Sequence, residues 1–277
     1  TSFIKGIQDG GAVACAKHYP GHGNTSTDSH TSLPTILGTK EELESMELYP
    51  FSEAIKSDVG MIMVGHISMP GLDPSGLASS LSKVISSDIL KDEMGFDGIV
   101  VTDALEMGGI TKNSSAGEAC VRAIEAGADI VLLPLDVKLA INSIYDAVQN
   151  GRISEDRIDQ SVAKIWKQKY DLGILKDRNV EWKTVEDNIG LSDNKKTAQY
   201  IANKSITLVK NDKSLVPLKP NKIKKITHLI LTTDDSAYDF LKPFDRDLKR
   251  THRNVKKILI NDKLSNNRIN SIVEDLK

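Results

Sequence analysis

The sequence predicts an α/β fold in which helices cover a parallel sheet, followed by a shorter second α/β segment. Across the first 172 or so residues, short apolar runs alternate with amphipathic stretches of helical periodicity. The apolar runs are nearly continuous, as in strands that are buried on both faces of a parallel sheet. The chain has 277 residues, 39% hydrophobic and 27% charged, which suits an ordinary globular protein. This pattern alone fits either half of a (β/α)8 barrel or a small doubly wound sheet.

The elements of the first part follow from these runs. The predicted strands are residues 12–18, 61–66, 98–103 and 129–133, and the predicted helices are residues 40–57, 82–94, 116–126, 136–150 and 154–170. The fourth helix ends at Asn150-Gly151, a common helix stop. The fifth begins at Ser154 and carries two acidic residues in its first turn, where the helix dipole favours negative charge.

The second part begins after a polar stretch without sustained periodicity, which predicts a linker. A helix at residues 195–203, strands at 225–231 and 256–260, and a helix at 266–276 are expected beyond it. We therefore assign residues 1–175 to the first domain, 176–194 to the linker and 195–277 to the second domain.

Composition excludes several classes of protein. A net charge of −2 and an aromatic content of 5% leave no basic or base-stacking surface for nucleic acid. No apolar run approaches the roughly 20 residues that span a bilayer. The chain begins at Thr1 without a signal-peptide pattern, so upstream sequence or a removed signal is left open. Cys15 and Cys120 lie in apolar stretches, which predicts buried free thiols and no disulfide.

The densest polar cluster follows the first predicted strand. Residues 17–23 read Lys-His-Tyr-Pro-Gly-His-Gly, and residues 28–30 read Asp-Ser-His. The carboxyl ends of parallel strands are where α/β proteins build their sites. The spacing of His18 and His22 would suit a metal on a helix, but Pro20 and the two glycines prevent that helix. A phosphate-binding loop would need a Lys-Ser/Thr pair at a helix start, which is lacking. A polar surface loop with structural histidines stays open.

A second cluster follows the third predicted strand. Residues 95–107 read Gly-Phe-Asp-Gly-Ile-Val-Val-Thr-Asp-Ala-Leu-Glu-Met, and Asp103 is the first carboxylate after the strand. A carboxylate held there by the sheet suits a nucleophile, while a cap of the following helix is the alternative. Glu106 is a weaker candidate. His66 ends the second strand, and three successive strands that end in titratable side chains predict a site better than any one of them.

These two motifs resemble glycoside hydrolase family 3 in its β-N-acetylhexosaminidase branch. Residues 17–30 resemble the branch's Lys-His-Phe/Tyr-Pro-Gly-His-Gly block with its Asp-Ser-His, which family 3 β-glucosidases lack, and residues 95–107 resemble its nucleophile segment. Weaker similarity covers residues 157–175 and 205–217. The resemblance implies the C-terminal part of a TIM-type (β/α)8 barrel followed by the start of an α/β sandwich domain. A barrel needs eight βα units and about four are visible, so we expect a fragment of a longer enzyme.

The resemblance also implies roles for single residues. Asp103 would be the nucleophile, His30 the acid and base, and Asp28 the partner that orients the imidazole. Lys17 and His18 would contact sugar hydroxyls, and His66 would line the sugar subsite. An anionic carboxylate and a proton donor are the minimum equipment for retaining glycoside cleavage. The loop between Gly21 and Thr31 is rich in small residues, so we expect it to move His30 over the substrate.

The implied activity is removal of terminal β-linked N-acetylglucosamine or another N-acetylhexosamine. The alternatives are a family 3 β-glucosidase, a glycoside phosphorylase, or an inactive carbohydrate-binding relative. The expected partner is a carbohydrate, such as a glycan or muropeptide, with no metal, cofactor or nucleic acid. The aglycone, the oligomeric state and the compartment stay open, with the second domain favouring a periplasmic or secreted location.

Overall fold

The computed structural model describes residues 1–112, 114–212, 214–219, 223–232, 237–261 and 263–276. The chain forms two compact units, Thr1–Val180 and Glu181–Lys277. Lys213, which belongs to the segment 205–217 that carries part of the family resemblance, lies outside the described residues.

A three-stranded parallel sheet forms the centre of the first unit. Its strands are β1 (Cys15–Tyr19), β2 (Met61–Val64) and β3 (Ile99–Thr102), in that spatial order. β2 and β3 pair in regular register from Met61 opposite Ile99 to Val64 opposite Thr102. The residues that follow all three strands therefore meet at one edge of the sheet, as the sequence predicted.

Helices surround this sheet and complete its core. In chain order they are α1 (Ser2–Asp9), α2 (Lys40–Ser45), α3 (Tyr49–Ile55), a 3-10 turn (Ser79–Leu81), a π-helix (Val84–Glu93), α4 (Gly108–Thr111), α5 (Ala116–Ala126), α6 (Val137–Gln149) and α7 (Glu155–Asp171). Ile62, Val100, Ile85 and Leu90 are buried between the sheet and these helices. Burial of such side chains stabilises the fold by about 1.5–3 kcal/mol each.

The fourth predicted strand, residues 129–133, is not a regular strand. The segment meets β3 through a single parallel bridge between Val101 and Ile130. The carboxylate of Asp129 accepts the Val100 N–H at 3.0 Å. The N–H groups of Asp129 and Ile130 both donate to the Val100 carbonyl. The ladder cannot continue regularly because a side chain takes one of its hydrogen-bonding positions.

The predicted helix 40–57 is two helices, α2 and α3. At the start of α2, the Thr39 hydroxyl accepts the Glu42 N–H, and the Glu42 carboxylate accepts the Thr39 N–H. Pro50 lies in the first turn of α3, where its missing N–H costs nothing, and a continuous helix would place it in the interior. The predicted helix 82–94 is found as the π-helix. The expected starts of α6 and α7 are confirmed, because Asp136 caps the Leu139 N–H at 2.9 Å and Ser154 caps the Arg157 N–H at 3.2 Å.

The two cysteines differ in their surroundings. Both are free thiols, as predicted, and Cys120 is buried in α5. Cys15 is exposed, so its predicted burial was wrong. Exposed and partly buried residues alternate along the first four positions of β1, and Cys15 lies on the same exposed face as Lys17.

The second unit contains a two-stranded parallel sheet of β4 (Ile226–Leu231) and β5 (Val255–Ile260). Its helices are α8 (Trp182–Asn188), α9 (Ser192–Ser205), α10 (Ala237–Thr251) and α11 (Asn266–Leu276). α8 lies inside the stretch that the sequence predicted to be a linker. α10 has no predicted counterpart, whereas the other four elements from α9 onward were expected. In the part of the chain that is described, no helix combines the length and apolarity needed to cross a membrane.

Candidate active site

Asp103 lies directly beyond β3 at the carboxyl edge of the sheet. Its backbone N–H donates to the carbonyl oxygen of Val64 on β2 at 2.8 Å, which holds the residue in line with the ladder. α4 begins only at Gly108, with Met107 in the N-cap position. Asp103 therefore does not cap that helix, and the alternative explanation for its position fails.

The two carboxylate oxygens of Asp103 differ in their environment. Oδ1 accepts the Ala104 N–H at 2.8 Å. Oδ2 lies 3.7 Å from Nε2 of His18, and the Asp103 side chain is 17% exposed. One oxygen is thus fixed by the backbone, and the other faces the imidazole of His18.

His18 stands beside this carboxylate on β1. Burial lowers the pKa of the imidazole, and the negative charge of Asp103 opposes that shift without cancelling it. His18 is therefore neutral at pH 7, able to donate one hydrogen bond and accept another. It also borders a cavity of about 690 Å³ between the loop at residues 21–24 and the turn at Met46 and Glu47. That volume falls in the range of small-molecule sites.

Asp28 and His30 form a pair on the loop after β1. Nδ1 of His30 lies 2.7 Å from Oδ1 of Asp28, and the His30 backbone N–H donates to the same oxygen at 2.9 Å. These two hydrogen bonds, the backbone one first, lower the pKa of Asp28. An ionised carboxylate only accepts, so Nδ1 carries its proton. Nε2, on the far side of a ring that is 75% exposed, is then free to exchange a proton.

The loop that carries this pair is folded upon itself. Ser29, between Asp28 and His30, is buried. Nε2 of His22 lies 3.0 Å from the Ser29 hydroxyl, and the Thr31 hydroxyl donates to the Asp28 carbonyl at 2.9 Å. The exposed side chains of Asp28 and His30 therefore project from a loop whose backbone is held by its own hydrogen bonds.

His66 occupies a different position from the one expected of a sugar-contacting residue. Its side chain is fully buried, and both ring nitrogens are engaged. Nε2 donates to the Ala104 carbonyl at 2.9 Å, so Nδ1 accepts from the Ser80 hydroxyl at 2.8 Å. Burial lowers its pKa. The expectation that His66 lines the sugar subsite was wrong, because a ring without exposed surface cannot touch a ligand.

The remaining candidates, Lys17 and Glu106, both have exposed side chains. Lys17 is exposed and borders the cavity next to His18. Glu106 is exposed and lies four residues after the end of β3, in the turn before α4. Among the described His, Cys, Asp and Glu residues, no group of three converges as a metal site would require.

Sequence reasoning missed three residues that contact the loop of Asp28 and His30. The backbone N–H groups of Gly108 and Gly109 and the ammonium group of Lys112 all donate to carbonyl oxygens of that loop. The Gly-Gly pair directly after Met107 was the available signal, since paired glycines allow two backbones to approach closely.

The first 167 residues match the model of the "Glycosyl hydrolase family 3 N terminal domain". The chain is also similar to a solved glycoside hydrolase family 3 β-N-acetylglucosaminidase from Paenibacillus sp. str. FPU-7. The identity is 33% and the TM-score 0.85, over 98% of this chain and 52% of that protein. The predicted α/β class and its likeness to TIM-barrel-like domains are thereby confirmed.

Two further relatives give a range of activities. β-Hexosaminidase A of Pseudoalteromonas piscicida is 31% identical over 248 residues, which is 82% of this chain and 40% of that protein. A solved β-glucoside phosphorylase is 25% identical with a TM-score of 0.83, over 95% of this chain and 49% of that protein. The chain thus spans about half the length of these relatives, or somewhat less.

Proposed function

The chain belongs to glycoside hydrolase family 3, and on that premise we propose that it carries the catalytic residues of a retaining β-N-acetylhexosaminidase. The proposed reaction is hydrolysis of a terminal β-linked N-acetylglucosamine through a covalent glycosyl-enzyme. The observation that carries the proposal is the 2.7 Å pair of Asp28 and His30, on a loop at the same sheet edge as Asp103. The names of the Paenibacillus and Pseudoalteromonas relatives support the N-acetyl sugar.

The first step is attack by Asp103 on the anomeric carbon. We assign the attack to Oδ2, because Oδ1 is occupied by the Ala104 N–H. As the bond to the nucleophile forms, the bond from the anomeric carbon to the aglycone oxygen breaks. His30, in its imidazolium form, gives the Nε2 proton to that oxygen, so the aglycone leaves as a neutral alcohol.

The second step returns the enzyme to its starting state. Neutral His30 accepts a proton from water at Nε2, and the water oxygen attacks the anomeric carbon. The ester bond to Asp103 breaks, which restores the carboxylate and retains the β configuration. Throughout, the ionised Asp28 keeps the proton on Nδ1 and stabilises the charge that the ring carries after each protonation.

His18 and Lys17 are proposed to bind the sugar. Neutral His18, 3.7 Å from the nucleophile, suits a donor to a ring hydroxyl near the reacting carbon. The exposed Lys17 ammonium borders the cavity and suits a hydroxyl further out. His66 is assigned to holding the backbone after Asp103 and to no contact with substrate.

The test compares 4-nitrophenyl N-acetyl-β-glucosaminide with 4-nitrophenyl β-glucoside. The chain is expressed together with whatever coding sequence adjoins it, which we refer to as the intact protein. We expect preference for the N-acetyl substrate, loss of about 1,000-fold or more in Asp103→Asn, and a loss of about 100-fold in His30→Ala. Asp92→Asn, an exposed carboxylate on the π-helix, is the matched control and keeps full activity. A folded intact protein that cleaves neither sugar contradicts the proposal.

Phosphorolysis is the second candidate, favoured by the similarity to a β-glucoside phosphorylase. A neutral histidine repels an incoming phosphate less than a carboxylate would. Product analysis with and without inorganic phosphate separates the two reactions. Hydrolysis gives the free sugar under both conditions, whereas phosphorolysis gives the sugar 1-phosphate only when phosphate is present.

A further inference from the structure

The loop that carries Asp28 and His30 is attached to the segment that follows Asp103. The N–H of Gly108 donates to the His30 carbonyl at 3.1 Å, and the N–H of Gly109 donates to the Ser29 carbonyl at 3.2 Å. Two consecutive amides at the start of α4 thus bind two consecutive carbonyls of the loop. Nζ of Lys112 adds a third bond, to the Thr31 carbonyl at 2.7 Å.

Glycine is required at Gly108 for this approach. A Cβ at that position would stand 2.8 Å from the carbonyl oxygens of both His30 and Thr31, a distance that real Cβ atoms do not adopt. The obstructing atoms belong to the backbone, so the loop as a whole would have to move away. At Gly109 a Cβ would stand 3.2 Å from the Ser29 carbonyl oxygen, which requires a smaller displacement.

The other end of this segment is fixed in the sheet. Asp103 donates its N–H to Val64, and the Ala104 carbonyl accepts from the buried ring of His66. Leu105 donates its N–H to the Leu132 carbonyl at 3.0 Å. Residues 103–109 therefore connect the strand β3 directly to the backbone of His30.

The His30 side chain itself has few restraints. Its ring is 75% exposed, and its described hydrogen bond is the one to Asp28, whose side chain is 63% exposed. The position of Nε2 relative to Asp103 consequently depends on the backbone that carries the pair, and that backbone is held by Gly108 and Gly109.

We propose that Gly108 and Gly109, with Lys112, are positioning residues for the acid/base histidine: they hold the loop of Asp28 and His30 at a fixed distance from the nucleophile Asp103. This inference rests on the proposed function. The composition of residues 21–31 predicted a mobile loop. Under this proposal, only the part of the loop before Ser29 is free to move. A displaced loop impairs proton transfer and leaves the attack by Asp103 intact.

Substrates with different leaving groups test this separation in the intact protein. Phenyl N-acetyl-β-glucosaminide needs a proton on its leaving oxygen, whereas the 2,4-dinitrophenyl glycoside does not. The ratio kcat/KM reports the steps up to departure of the aglycone. For Gly108→Ala we expect kcat/KM to fall about tenfold on the phenyl substrate and less than about twofold on the dinitrophenyl substrate, a part of the effect of a general acid.

Two milder variants give the same test without a backbone clash of that size. Gly109→Ala is expected to lose about threefold on the phenyl substrate, and Lys112→Met, which removes one hydrogen bond at an exposed position, about the same. Gly6→Ala is the matched control, because a Cβ there meets no atom within 4 Å, and it is expected to lose nothing. Equal losses on both substrates in these variants, with unchanged unfolding temperatures, would overturn the proposal.

Hydrogen exchange tests the docking independently of activity. Gly108→Ala and Lys112→Met are expected to speed exchange in peptides covering residues 28–32 and to leave those covering β2 unchanged. Unchanged exchange in the loop would overturn the proposal even if activity fell. Failure of the proposed function has a different signature, since the wild-type protein would then cleave neither glycoside while the loop still responded to the substitutions.

Discussion

His66 donates a hydrogen bond from Nε2 to the carbonyl oxygen of Ala104 at 2.9 Å, and through it a buried ring holds the backbone next to Asp103. Because that carbonyl can only accept, the ring proton is on Nε2, and the Ser80 hydroxyl donates to Nδ1 at 2.8 Å. The adjacent peptide unit supplies the N–H that occupies Oδ1 of Asp103. The direction of the other oxygen, Oδ2, thus depends on a fully buried residue.

We predict that His66→Gln retains most activity and His66→Leu does not. A glutamine amide can still donate to the Ala104 carbonyl, whereas leucine leaves that carbonyl and the Ser80 hydroxyl without their partner. In His66→Leu we expect kcat to fall about tenfold or more with KM little changed, because the attack is misaligned while the sugar contacts remain. Steady-state kinetics on the 4-nitrophenyl substrate measure this, and a rise in KM alone would contradict it.

The same residue predicts how stability depends on pH. Burial places the pKa of His66 in the folded protein below its value in the unfolded chain, which is about 6.5. The unfolded chain therefore binds more protons in this window, and stability rises with pH. Above about pH 6.5, neutral His66 costs the folded state nothing. The folded state loses stability as the pH falls from there toward the lower pKa that His66 has in the folded protein. We expect the unfolding temperature to drop between pH 7 and pH 5, and to drop less in His66→Gln than in wild type. Parallel curves for the two proteins would exclude this role.

Asp28 and His30 are predicted to act as one unit. Asp28→Ala removes both hydrogen bonds that orient His30, so kcat/KM for the phenyl glycoside should fall about tenfold or more. Adding this change to His30→Ala should cost little beyond the loss from His30→Ala alone, since groups that act together are not additive. Ser26→Ala, in the same loop, is the control and should keep wild-type rates. Multiplicative losses in the double variant would show that the two side chains act separately.

We predict that the buried carboxylate of Asp129, at the irregular end of the sheet, makes a large contribution to stability. Asp129, whose side chain is 1% exposed, accepts from the Val100 N–H, the Ser161 hydroxyl at 2.6 Å and Arg157 at 3.4 Å. Asp129→Ala takes the acceptor away from the Val100 N–H and the Ser161 hydroxyl and removes the charge partner of Arg157, which keeps its bond to the Ala128 carbonyl. We expect the free energy of unfolding to fall by about 3 kcal/mol. Asp136→Ala removes only an exposed helix cap and should cost about 1 kcal/mol. Chemical denaturation compares the two, and equal losses would refute the special role of Asp129.

The sequence predicted much of the fold, because hydrophobic runs report burial directly. Strands β1 to β3 and helices α5 to α7 were located within a few residues. The strand at 129–133 was wrong, since no apolar pattern reveals that the Asp129 side chain takes a ladder position. The break between α2 and α3 was readable from Pro50 and was overlooked. Helix α10 was not predicted, because it contains Pro243 in its interior and proline normally indicates the end of a helix.

The site was predictable where residue chemistry and spacing coincide. Asp28 and His30, two residues apart, do form a hydrogen-bonded pair, as expected. The structure also places His18 beside Asp103, a contact that the sequence did not predict. Their catalytic roles remain proposals. His66 was misplaced because a sequence indicates that a strand ends at a histidine and not which way the ring turns. The docking by Gly108 and Gly109 depends on contacts between loops about eighty residues apart, which no local pattern records.

The most direct test of Asp103 as the nucleophile is to trap the glycosyl-enzyme and identify the residue that carries the sugar. A 5-fluoro N-acetyl-β-glucosaminide with a dinitrophenyl leaving group slows both steps, because fluorine disfavours the oxocarbenium-like transition state, while the good leaving group still allows the first step. Mass spectrometry of the intact protein, followed by peptide mapping, is expected to show one added sugar as an ester on Asp103, absent from Asp103→Asn. A label on another carboxylate such as Glu106, or turnover without any covalent adduct, would contradict the assignment of Asp103 as nucleophile.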